Sequence, residues 1–208
     1  MIALIDYGVG NLYSVEKALT AVGGEVLVTS DAKILQQADK LVLPGVGAFG
    51  DCMKNLEATG LIPTILEQVA TKKPLLGICV GLQILFEESE ESPDVKGLGV
   101  FKGVVKKISA ENLKLPHIGW NSIAIGRKNI SIKFPAPKLF KNLPEKNYFY
   151  FVHSYHAAPS NEDLITAVTD YGEQVTAAVE LGNIFATQFH PEKSGDVGLQ
   201  VLKNFVEL

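Results

Sequence analysis

The first half of the chain alternates short aliphatic runs with longer stretches in which apolar residues recur at helical spacing. Ile2 to Ile5, Glu25 to Val28 and Lys40 to Leu43 read as strands, with a helix over Leu12 to Ala21 between the first two. A further helical region is expected over Asp51 to Ala70, broken near Gly60 and Pro63, because proline removes a helical donor and crowds the preceding turn. Pro74 to Ile78 reads as a buried strand. Cys79 then sits where that strand gives way to the helix-compatible stretch Leu82 to Glu88. Strands alternating with helices argue for a parallel sheet covered by helices.

Beyond Pro93 the strand candidates become shorter and closer together. They lie around Gly103 to Ile108, Ser122 to Ile125, Tyr148 to Val152, Leu164 to Thr169, Val175 to Glu180 and Ile184 to Gln188. Turns at Asp170-Tyr171-Gly172 and Gly182-Asn183 suggest hairpins. The fold expected is therefore α/β, an open mixed and mostly parallel sheet flanked by helices, with an antiparallel extension. An amphipathic helix over Gly195 to Val206 closes it, with Val197, Val201, Leu202 and Phe205 turned inward. The Pro- and Lys-rich stretch from Arg127 to Lys146 reads as loop.

Composition narrows the class without changing this picture. At 208 residues, with 47% hydrophobic and 20% charged, the chain is expected to form a single domain with a full core. A formal charge of −4 with scattered Lys and Arg speaks against a nucleic-acid partner. No apolar run is long enough to span a membrane, and the N-terminus lacks a secretory pattern. Two cysteines, Cys52 and Cys79, are too few for a disulfide framework and lack zinc-ligand spacing, so a reducing cytoplasm is expected, with no metal and no cofactor.

The candidate chemistry begins at Gly77-Ile78-Cys79-Val80-Gly81. Small residues flanking a nucleophile between strand and helix permit a sharp turn, and the helix start favours a thiolate. Cys52, on a helical stretch without such a turn, reads as a small core residue. His190-Pro191-Glu192 supplies a base and an acid. Proline disfavours helix at the residue before it, and residues two apart in extended backbone face the same way, so Glu192 can hold the His190 ring. His117 and His156 have no acid nearby in sequence, and His153 lies in a different motif. Acyl transfer also needs amides aimed at a developing oxyanion. Val80 at the elbow and the turn Gly45, Val46, Gly47 after Pro44 are the two sources, both expected at the carboxyl ends of strands.

With those residues in place the chain resembles the class I glutamine amidotransferases, through the Gly-x-Cys-x-Gly elbow, the Pro-Gly-Val-Gly turn and the His-x-Glu pair. The resemblance is closer to the glutaminase subunits of imidazole glycerol phosphate synthase. It is carried by the blocks Ile5 to Leu12, Pro44 to Gly50, Gly77 to Gln83, His117 to Asn121, Phe151 to Tyr155 and Gln188 to Lys193, which span nearly the whole chain. The resemblance implies a flavodoxin-like fold, a Cys79-His190-Glu192 triad, and a pocket in which Gln83, Glu91 and the backbone at Ser154 and Tyr155 hold L-glutamine. It further implies that Asn11, Trp120 and Lys193 face a TIM-barrel cyclase subunit in a heterodimer. Ammonia would pass to that subunit, which makes imidazole glycerol phosphate and an aminoimidazole carboxamide ribotide in histidine biosynthesis. A glutaminase feeding a vitamin B6 or folate-precursor synthase is the alternative within the class. A cysteine peptidase or a binding subunit that keeps only the fold are the alternatives outside it. An isolated glutaminase would waste ammonia, so low activity is expected until a loaded partner reshapes the Gly45 to Gly47 turn.

Overall fold

The computed structural model describes residues 1–110, 113–126, 137–144 and 147–208. Most of the stretch from Arg127 to Lys146 thus lies outside the described residues; within it, Lys138–Phe140 forms a short 3-10 turn. The chain forms β1 (Ile2–Ile5), α1 (Leu12–Ala21), β2 (Val26–Thr29), α2 (Ala32–Gln37), β3 (Lys40–Gly45), α3 (Phe49–Ala58), α4 (Ile62–Ala70), β4 (Leu75–Cys79) and α5 (Val80–Gln83). It continues through β5 (Phe86–Ser89), β6 (Phe101–Lys107), β7 (His117–Ser122), β8 (Ala124–Ile125), β9 (Tyr148–His153) and β10 (Tyr155–Pro159). It ends with β11 (Ile165–Tyr171), β12 (Glu173–Leu181), β13 (Ile184–Thr187) and α6 (Gly195–Val206).

The main sheet has eight strands in the order β2-β1-β3-β4-β13-β12-β11-β8. The five from β2 to β13 are parallel, and β12, β11 and β8 continue the sheet antiparallel. This is the mixed α/β sheet with an antiparallel extension that the periodicity predicts. The central strands β1 and β4 are buried at every position, as expected for parallel strands covered on both faces.

Two smaller sheets depart from the expectation. The strands over Gly103 to Ile108 and Tyr148 to Val152 do not extend the main sheet. Instead β6 pairs with β5 and β10, and β9 pairs with β7 in a separate two-stranded ribbon. The helix after Cys79 is also shorter than Leu82 to Glu88 suggests. Ile84 and Leu85 give their carbonyls to the amides of Leu98 and Phe101 rather than to a next helical turn, and the chain leaves as β5. α2 has six residues and buries only Leu35, too little to show a period in sequence. Aromatic residues from two segments, Phe149 and Phe151 of β9 and Phe189 just after β13, pack together beneath the ribbon and join it to the end of β13.

Candidate active site

Three neighbouring parallel strands decide where the site lies. Gly45 at the end of β3 pairs in register with Cys79 at the end of β4, and Ile78 pairs with Thr187 at the end of β13. The Gly45-Val46-Gly47 turn, the Cys79 elbow and the segment Gln188 to Glu192 therefore emerge side by side at the carboxyl edge of the sheet. Open parallel sheets place their crevices there.

The elbow is tight because of its glycines. Cys79 has φ +56°, a conformation rare outside glycine and a local strain that its surroundings must hold. A Cβ on Gly81 would lie 1.9 Å from the Leu43 carbonyl oxygen, and one on Gly77 would lie 2.8 Å from the Gly81 carbonyl oxygen. Only hydrogen at those positions lets the backbone fold back on β3. Gly45 is under the same constraint: its Cβ would stand 2.6 Å from the Gly81 nitrogen.

His190 is extended, with φ −96° and ψ 97°, as a residue before proline should be. Glu192 is not reached by extended geometry, however. Pro191–Lys193 form a 3-10 turn, and that turn curls the carboxylate back to the ring. His190 Nδ1 and Glu192 Oε1 are 2.8 Å apart, with both side chains almost fully buried. His190 Nε2 has no hydrogen-bond partner among the described residues and is left toward the sulfur of Cys79. Burial depresses the imidazole pKa, but Cys79 on one nitrogen and Glu192 on the other outweigh it and raise it to about 10. The pair thus favours the proton on His190. The backbone is fixed from a third direction: Tyr150 of β9 accepts from the His190 amide at 2.9 Å, and Ser194 Oγ donates to the His190 carbonyl at 2.6 Å.

A small cleft of about 170 Å³ opens above Cys79. Val46, Gly47 and Val80 of the expected oxyanion set line it, while Gly45 lies behind, packed on the elbow. Gln83, Glu91, Ser154 and Tyr155 line it too, so every residue assigned to the glutamine pocket by resemblance borders one space with Cys79 and His190. The Glu91 carboxylate also accepts from the Phe49 amide at 2.8 Å, which joins the cleft to the start of α3.

Several contributors are invisible to motif reading. Tyr7 is buried, and its hydroxyl donates to the Pro44 carbonyl at 2.5 Å. Burial drives its pKa far up, keeping it a donor. Cys52 is a core residue, as its sequence context suggests, yet its thiol also donates to the Val46 carbonyl at 3.3 Å. Burial raises that thiol's pKa to about 11, so it stays protonated. Gln188 is fully buried and points its side-chain nitrogen at the Cys79 sulfur, 3.8 Å away. His156, without an acid nearby in sequence, has one in space: Glu173 Oε1 lies 3.5 Å from its Nε2. Among the described residues no group of His, Cys, Asp and Glu is arranged to hold a metal, and no helix is long and apolar enough to cross a membrane.

Trp120 is not a core aromatic. It is 57% exposed on β7, beside Ile118 at 59% and diagonal to Tyr148, which pairs with Ser122 and is 56% exposed. Its ring meets Tyr150 edge-on at 6.3 Å, and the Lys193 ammonium lies 5.8 Å from the same Tyr150 ring. Asn11 is exposed, and its side chain caps α1 by accepting from the Ser14 amide at 3.2 Å. α1 packs against the Pro191–Lys193 turn, so the three residues belong to adjoining elements.

Comparison with known proteins agrees with this architecture. The family described as glutamine amidotransferase class-I matches residues 3–208. The chain is 54% identical to the imidazole glycerol phosphate synthase subunit HisH of Methanothermobacter thermautotrophicus, over 100% of this chain and 98% of that one. It is 49% identical to the subunit of the same name from Acinetobacter baylyi, over 99% and 97%. Among solved structures, a glutamine amidotransferase aligns over both full chains with a TM-score of 0.75 at 18% identity. PurLQS from Thermotoga maritima aligns over 99% of this chain and 97% of that one, with a TM-score of 0.74 at 21% identity. Those two share the fold.

Proposed function

The chain belongs to the class-I glutamine amidotransferases and, within them, to the family of the imidazole glycerol phosphate synthase subunit HisH; from that premise we propose how its residues hydrolyse glutamine. Cys79 is the nucleophile, His190 the base and then the acid, and Glu192 the carboxylate that holds the ring. What supports this most is the convergence of the strained elbow and the buried His190-Glu192 pair at the ends of adjacent strands.

The sulfur, its proton passed to His190, attacks the side-chain carbonyl carbon of glutamine. The carbonyl electrons move onto oxygen, where the amides at Val80 and along Gly45 to Gly47 are the available donors. Collapse of that intermediate breaks the C–N bond, and the leaving nitrogen takes the proton from His190 and departs as ammonia. Water, deprotonated by His190, then cleaves the thioester to give glutamate and the free thiol. Gln83, Glu91 and the backbone at Ser154 and Tyr155 receive the amino-acid head, since a zwitterion needs both donors and acceptors.

The ammonia serves a cyclase subunit in histidine biosynthesis, in a cytoplasmic heterodimer that makes imidazole glycerol phosphate and an aminoimidazole carboxamide ribotide. The exposed aromatic ribbon with Trp120, together with Lys193 and Asn11, is the face offered to that TIM-barrel partner. Ammonia is channelled between the two. Partner binding raises the glutaminase rate by reshaping the Gly45 to Gly47 turn, which Tyr7 and Cys52 brace from behind through the Pro44 and Val46 carbonyls. The test is Cys79→Ala assayed with the cyclase. Glutamine-dependent synthesis is lost and synthesis from free ammonia is kept; retention of the glutamine-dependent reaction would overturn the assignment.

A further inference from the structure

Five side chains link the exposed ribbon to the nucleophile, and the direction of every hydrogen bond between them is dictated by backbone groups that can act in only one way. Asn121 Oδ1 accepts from the Ser122 amide at 2.9 Å, and its nitrogen donates to the Asp170 carbonyl at 3.0 Å, so the amide cannot be flipped. The same nitrogen faces His117 Nε2 at 3.3 Å, which must therefore be the unprotonated, accepting nitrogen. His117 then carries its proton on Nδ1, which meets His153 Nε2 at 3.1 Å. His153 in turn carries its proton on Nδ1, 2.9 Å from the Tyr155 carbonyl, and a carbonyl can only accept. The two ends demand the same tautomers independently.

The Tyr155 carbonyl also orients the next link. It accepts from Gln83 Nε2 at 3.0 Å, which fixes that amide, and the same nitrogen donates to Gln188 Oε1 at 3.2 Å. Gln188 is left with its nitrogen toward Cys79 Sγ at 3.8 Å. We propose that Asn121, His117 and His153 form a relay that holds the Tyr155 carbonyl, on which His153 and Gln83 converge as donors, and that Gln83 held there positions Gln188 to donate to the Cys79 sulfur, coupling the β7-β9 ribbon to the nucleophile. Gln188 touches the reacting atom; Asn121, His117 and His153 are positioning residues, and Gln83, which also lines the substrate cleft, positions Gln188.

Protonating either histidine would bring two N–H groups face to face, so the relay requires both rings neutral. Their surroundings agree. Burial pushes His117 down to about 4 and His153 to about 3, and His117 is stacked between Tyr171 at 4.0 Å and Phe151 at 4.8 Å. A donor aimed at sulfur favours the thiolate without offering it a proton to exchange, a role complementary to that of His190.

The proposal rests on Cys79 being the nucleophile, so its test needs neither glutamine nor partner. Imidazole 15N spectra of the full chain at pH 7 are expected to show His117 and His153 both neutral with the proton on Nδ1; a proton on Nε2 of either ring overturns the relay. The pH profile of Cys79 alkylation by iodoacetamide, read at that residue by peptide mass spectrometry, is the second measurement. Gln188→Leu is expected to move its midpoint up by about one pH unit, the size of one lost hydrogen bond to a charged sulfur. His117→Phe, which keeps the stacking and removes both nitrogens, is expected to release the His153 tautomer and shift the profile in the same direction. An unmoved profile in either variant, with circular dichroism unchanged, overturns the coupling. Where His117→Phe fails to fold, the spectra of the unmodified protein and Gln188→Leu still decide. Loss of the relay with Cys79 still required for glutamine hydrolysis would remove this inference alone.

Discussion

At Gly81 one hydrogen atom decides whether the elbow exists, because the Leu43 carbonyl occupies the space a methyl group would need. The obstructing atom is backbone, so no rotamer change relieves it, and Gly81→Ala is expected to cost at least about 3 kcal/mol, the upper end for overpacking. Urea denaturation of the variant measures this. At His190 the decisive feature is charge. Its folded pKa lies above the unfolded value of 6.5, so the stabilisation it contributes is complete below about pH 6.5 and is lost as pH rises toward about 10. Removing the carboxylate charge with Glu192→Gln should therefore cost most stability near pH 6 and least near pH 10, as melting temperatures across that range would show. The same change is expected to lower the glutaminase kcat by about 100-fold or more, since the imidazolium formed in the reaction loses its counter-charge. An unchanged kcat would remove Glu192 from the proposed triad.

Between elements, single buried amides carry attachments that no periodicity announces. Asn204 of α6 is buried and donates to the carbonyls of Leu139 and Lys141 at 2.8 and 2.7 Å, while its own oxygen accepts from Gln200 at 2.8 Å. It ties the last helix to the turn at Lys138–Phe140. Asn204→Leu leaves two carbonyls without this donor, and a loss of about 2 kcal/mol in urea denaturation is expected, with the glutaminase kcat unchanged. α5 shows the opposite case, an element cut short by neighbours. Its continuation is helix-compatible in sequence, but the amides of Leu98 and Phe101 claim the carbonyls that a longer helix would need. β7 was hidden for a related reason. His117-Ile118-Gly119-Trp120 has no clean alternation, because its outward positions carry Ile118 and Trp120 rather than polar residues, and the pairing with β9 makes the strand.

Across the whole molecule, the outward face of the ribbon is unusual for exposed surface. Ile118, Trp120 and Tyr148 are each more than half exposed on one side of two short strands. If that face meets the cyclase, Trp120→Ala should weaken association by about 30-fold, equivalent to about 2 kcal/mol for an interface aromatic, without lowering the melting temperature of the free chain. Titration calorimetry with the partner reads the first quantity, and an unchanged affinity would move the interface elsewhere. By itself the chain's pattern of apolar runs determined the parallel core and the antiparallel continuation, because burial on two faces or one leaves a period that needs no partner to read. Local backbone chemistry likewise marked the elbow at Cys79 and the extended residue before Pro191, since the glycines and the proline act on adjacent bonds. Only the tertiary structure decided that β4 and β13 are neighbours, so that residues more than a hundred positions apart share one edge. The same folding curled Glu192 onto His190 through a 3-10 turn, set Gln188 against the sulfur and turned Trp120 outward. Those contacts depend on which surfaces meet when the sheet closes, and no local window of sequence contains both sides of them.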